Sequence, residues 1–109
     1  ATHGDGAVHA AVEAIAETFA DADNAALVRA MAAAAAEDAH AAAALYSTLT
    51  RPTQHELAAA IRAQGSSRGQ LGADLLAEMV LGTLLYRVLT RTPVTVDLVE
   101  ALAGLSGRP

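Results

Sequence analysis

The 109-residue chain has no cysteine, no lysine and no tryptophan, and its only aromatic residues are Phe19, Tyr46 and Tyr86. Without cysteine it can form no disulfide, thiol nucleophile, iron–sulfur cluster or thiolate zinc site. So few aromatics argue against a β-sandwich, and 29 alanines favour helix. The first twenty residues hold no apolar segment behind a basic start, so no signal peptide is expected. The chain opens at Ala1 without methionine, as a processed protein or a piece of a longer one would. What remains is 53% hydrophobic and 17% charged, the composition of one globular domain.

Twelve acids oppose seven arginines, for a net charge of −5. Residues 1–49 carry −6 and residues 50–109 carry +1. A phosphate backbone would be repelled by the first part and barely attracted by the second, so the isolated chain is not expected to grip DNA. Arg51, Arg62 and Arg68 lie in one stretch without interleaved aromatics and read as a solvated face.

Apolar spacing predicts five helices. Residues 1–6 read as a disordered lead-in, and Val8, Val12, Ile15 and Phe19 then define a first helix over 7–20. Asp21, Asp23 and Asn24 are suited to cap a second, long helix from about 25 to 49. Its seam runs Val28, Met31, Ala35, Asp38, Ala42, Leu45, Leu49. Asp38 is an acid on an apolar strip: either a polar group in a pocket or, as expected here, the cap of a helix that breaks at that point. Proline and a Thr53/Glu56 capping-box spacing predict a stop near Thr50 and a third helix to Gln64. Residues 65–72 are a glycine-rich loop.

The fourth helix, 74–91, is apolar nearly all round, with Leu75, Met79 and Tyr86 on one side and Leu81, Leu84 and Val88 opposite. The charges at Asp74, Glu78 and Arg87 exclude a membrane span. Four short helices cannot easily surround such an element, and a second copy of the chain is the economical cover. Which face looks inward stays open. Thr95 is suited to cap a fifth helix, 96–105, with Val96, Val99 and Leu102 on one face, and residues 107–109 read as a tail. The expected fold is a single all-α domain over 7–106.

Signals of catalysis are thin. Glu37 and His40 have the i, i+3 spacing of carboxylate-bridged metal bundles, but no second such pair exists. His9 and Glu13 read as a helix-surface pair. There is no phosphate-cradling glycine loop and no Ser-His-Asp arrangement. No catalytic residue, metal site or cofactor is expected. Tyr46 and Tyr86 read as core residues with a satisfied hydroxyl, or as contacts for a small molecule.

Gly69-Gln-Leu-Gly-Ala-Asp74, then Leu76-Ala-Glu-Met-Val-Leu-Gly-Thr-Leu-Leu-Tyr-Arg-Val-Leu89, then Thr92-Pro-Val-Thr-Val-Asp-Leu-Val-Glu-Ala-Leu-Ala-Gly-Leu105 together resemble the carboxy-terminal end of the tetracycline-repressor (TetR) family of transcriptional regulators. Leu27-Val-Arg-Ala-Met and the stretch around Glu37-Asp38 are similar to the family's long middle helix, with Ala39 where relatives often have proline. The resemblance spans about residues 7–106. It implies a cytoplasmic homodimer whose last two helices form a four-helix bundle across the two-fold axis. It also implies a small apolar effector, and a repressor that meets DNA through a helix-turn-helix that is not within this chain. The implied dimer contacts are Leu75, Met79, Gly82, Tyr86, Leu89, Val99 and Leu102. Candidate pocket residues are Phe19, Met31, Tyr46, Leu49, His55 and Thr83. The alternative is a helical protein–protein interaction module without a small ligand.

Overall fold

The computed structural model describes residues 3–64 and 72–107, with side chains over 6–64 and 72–105. The described residues form helices α1 (His3–Ala20), α2 (Ala22–Glu37), α3 (Ala39–Leu45), α4 (Arg51–Ala63), α5 (Ala73–Thr90) and α6 (Val96–Gly107). One π-helical turn, Tyr46–Thr50, joins α3 to α4. The fold is all-α, as the composition implies. Most of the expected glycine loop, residues 65–71, and residues 108–109 of the tail lie outside the described residues.

The described residues still form five rods, but cut differently from the expectation. The first starts at His3, four residues earlier than the spacing indicates. Among the residues whose side chains are described, Val8 is the first buried one of α1, and the apolar spacing in the sequence starts there. The second rod ends at Asp38, whose extended backbone (φ −145°, ψ 122°) interrupts the helix. Asp38 Oδ1 accepts a hydrogen bond from the His40 N–H at 3.0 Å, so this acid is the cap of α3 and lies exposed, not in a pocket. Asp21 likewise caps α2 by accepting from the Asn24 N–H.

The expected stop at Thr50 does not occur. Helix α3, the π turn and α4 run on without leaving helical geometry. Pro52 has no N–H, and its ring crowds the carbonyl four residues back. The widened turn accommodates this, with the Arg51 N–H reaching Tyr46 O, five residues away. Thr53 is therefore inside a helix, and its hydroxyl donates to Leu49 O at 2.7 Å rather than closing a capping box.

The core is built from Val8, Val12, Leu57, Ile61, Leu76, Val80 and Leu84, all fully buried. They come from α1, α4 and α5, which pack on one another, while α6 lies mainly against α1. Helix α3 buries no residue. Thr95 caps α6 as expected, its hydroxyl accepting from the Leu98 N–H at 3.1 Å.

Candidate functional site

Helix α5 has two apolar faces with different fates. Leu76, Ala77, Val80, Leu81, Leu84 and Val88 are buried against the rest of the chain. The opposite face stays open: Leu75 is 45% exposed, Met79 44%, Tyr86 63% and Leu89 47%. With exposed Gly82 these residues follow at steps of four, three, four and three, the spacing of a coiled-coil seam. A Cβ added at Gly82 would meet nothing within 4 Å. Glycine inside a helix costs about 1 kcal/mol against alanine, and no neighbour among the described residues requires it.

Of the seven expected dimer contacts, five lie on this open seam. Val99 and Leu102 do not: each is 8% exposed and belongs to the chain's own core. Because α6 packs on α1, its apolar face is already covered, and its large exposed apolar side chains among those described are Val96 and Leu105. The tyrosines differ from the expectation of core residues. Neither is a core residue, with Tyr46 55% and Tyr86 63% exposed.

No described cleft gathers all six candidate pocket residues. Phe19 and Leu49 share a cleft of about 160 Å³ between α1, the π turn and α4. Tyr46 borders a different cleft of about 410 Å³, with Gln54, Glu78, Leu81, Gly82 and Leu85. Met31 is half-buried and His55 exposed. The Thr83 hydroxyl is committed to Met79 O at 2.9 Å. None of these three lines a described cleft.

Two further clefts meet at Ala20 and Val94. One, of about 230 Å³ between α1 and α6, is acidic, bordered by Glu13, Glu17 and Glu100 together with His9. The other, of about 330 Å³, is basic, bordered by Arg29, Arg87 and Arg91 over Phe19, Val88 and Val94. The sequence gives no hint of this second grouping. Its arginines come from α2, the end of α5 and the turn that follows, and only packing unites them.

Arg91 is also the one non-glycine residue with positive φ among those described (φ 58°, ψ 32°). Its N–H donates to Val88 O at 3.2 Å, and the Thr92 N–H donates to Arg87 O at 2.8 Å. This is the double hydrogen bond of a Schellman end, at a position that usually holds glycine. The Arg29 guanidinium donates to Val88 O at 3.3 Å and that of Arg87 to Pro93 O at 2.9 Å.

Among the described residues, no cluster of three or more histidines and carboxylates could hold a metal ion. No described helix is long and apolar enough to cross a membrane. No curated protein and no solved structure gives a significant match to the chain. The family model for tetracycline-repressor-like C-terminal domains matches residues 5–105. That match covers all six helices except their outermost residues. The chain belongs to this family of regulatory domains, whose members generally dimerise and bind effectors.

Proposed function

We propose that the chain is the effector-sensing and dimerisation part of a TetR-like repressor acting in the cytoplasm, with DNA read by a domain outside residues 1–109. The observation that carries this reading is the open seam Leu75–Met79–Gly82–Tyr86–Leu89 on α5. A second copy laid along it would cover four large apolar side chains per subunit. It would also make use of the close approach that Gly82 permits. Acidic overall charge fits a part that leaves DNA contact to another domain.

The effector works by population shift. A small apolar molecule seated among the helices favours one arrangement of the two subunits. That arrangement sets the separation of the DNA-reading heads, which must match half-sites about one helical turn apart.

Light scattering over a roughly hundredfold dilution tests the assembly, since a dimer's mass depends on concentration only near its dissociation constant. The expected result is a dimer for the chain and a monomer for Met79→Glu, with unchanged helical circular dichroism because Met79 is not part of the core. Native mass spectrometry of the same sample looks for a co-purified effector. A chain that is monomeric at every concentration refutes the reading.

A further inference from the structure

The basic cleft stands apart in an acidic chain. Arg29, Arg87 and Arg91 border it, and none forms an ion pair with a described carboxylate. Arg29 and Arg87 each place one nitrogen on a backbone carbonyl, which leaves most of their donors for another acceptor. Arg91 makes no side-chain hydrogen bond within the described residues and lines the cleft from an exposed position with positive φ.

Capping of the α5 carbonyls does not account for all three side chains. The helix end carries roughly half a negative charge, against three guanidinium groups. Arg91 contributes nothing to that cap beyond its backbone N–H. The floor, by contrast, is apolar: Phe19, Ala25, Val88 and Val94.

We propose that this cleft binds the anionic head of a small molecule with an apolar body, the guanidinium groups holding a carboxylate, sulfonate or phosphate and the floor holding the body. This rests on the reading of the domain as a small-molecule sensor and names the chemical class of its effector. Guanidinium groups recognise planar and tetrahedral oxyanions through paired charge-assisted hydrogen bonds. The neighbouring cleft, bordered by Glu13, Glu17 and Glu100, repels a second negative charge on that side. The ligand's charge is thereby confined to the arginine end.

The test is a fluorescence titration of the whole chain with two probes that differ by one group. These are 8-anilinonaphthalene-1-sulfonate and its neutral parent, N-phenyl-1-naphthylamine. The sulfonate is expected to bind about tenfold or more tightly than the neutral probe, in line with charge-assisted hydrogen bonding. Arg91→Gly removes one guanidinium at a backbone position that suits glycine. It should weaken sulfonate binding about tenfold, the loss of one such contact, while leaving the neutral probe unaffected and raising the Tm. Arg62→Ala, at an exposed arginine paired with Asp74, should change neither affinity. Equal binding of the two probes, or an Arg91→Gly chain that keeps its sulfonate affinity, overturns the anion site while the small-molecule reading stands. Failure of both probes to bind removes the site and counts against the sensor reading as well.

Discussion

Arg29 and Val88 lie 59 positions apart, and the guanidinium of the first donates to the carbonyl of the second at 3.3 Å. The bond ties α2 to the last turn of α5, where backbone carbonyls lack helical partners. Hydrogen bonds with one charged partner are worth about 1.5–3 kcal/mol, and the 3.3 Å length and partial exposure of this one place it at the low end. Arg29→Met should therefore lower stability by about 1.5 kcal/mol in urea unfolding. It should also speed amide exchange near residues 88–92 while the buried amides of α1 and α4 keep their protection. Uniform loss of protection would show that Arg29 supports the whole core rather than this corner.

The two faces of α5 make a sharper contrast. Leu84 is fully buried and Tyr86, two residues on, is 63% exposed. Truncation of a buried leucine to alanine typically costs about 2–5 kcal/mol through lost burial and a residual cavity. Leu84→Ala should unfold at correspondingly lower urea at every protein concentration. Tyr86→Ala should leave the isolated fold within about 0.5 kcal/mol of the parent, as for other surface changes, yet weaken self-association by roughly tenfold or more. If Tyr86→Ala destabilised a dilute monomer as strongly as Leu84→Ala, the assignment of faces would be inverted.

The helices themselves were legible because burial imposes periodicity: Val8, Val12 and Phe19 are spaced as a buried stripe and are buried. The break at Asp38 was legible because an acid on an alanine seam has few roles besides capping. Other features follow from backbone adjustments or from packing that the local pattern does not signal. Pro52 reads as a helix start, yet the chain stays helical across it by opening one turn at Tyr46–Thr50. Helix α5 is apolar on two faces, so which one turns inward depends on α1 and α4, which its own sequence cannot register. Arg91 ends α5 in the left-handed region without the glycine that would signal it. The arginine cleft gathers positions 29, 87 and 91, whereas sequence proximity groups 51, 62 and 68.

Gly82 separates folding from assembly. In the isolated chain an added methyl meets nothing within 4 Å, so Gly82→Ala should stabilise the monomer by about 0.5–1 kcal/mol through helix propensity alone. Across a dimer seam the same methyl would hold the two α5 helices apart. The expected outcome is a higher unfolding midpoint at high dilution together with a weaker dimer by sedimentation. An alanine variant that is both more stable and equally dimeric would mean that the close approach at residue 82 is not part of the interface.

Helix α3 starts at a cap and gains no buried side chain of its own. It is the exposed N-terminal part of the continuous rod that runs through the π turn into α4, and it buries none of its seven residues, so packing does little to hold its first turn. Asp38 serves both sides of the break: its N–H donates to Ala34 O at the end of α2, and its carboxylate accepts from the His40 N–H. Asp38→Ala keeps the first bond and loses the second, so it should cost about 1 kcal/mol, the usual worth of an N-cap. Exchange should quicken over Ala39–Leu45 first. Asp38→Asn supplies the same oxygen acceptor and should stay close to the parent. A result of the opposite sign, with Asp38→Ala more stable than the parent, would mean that α2 and α3 fuse into one rod once the cap is gone, and that the capping side chain rather than the surrounding packing holds the break.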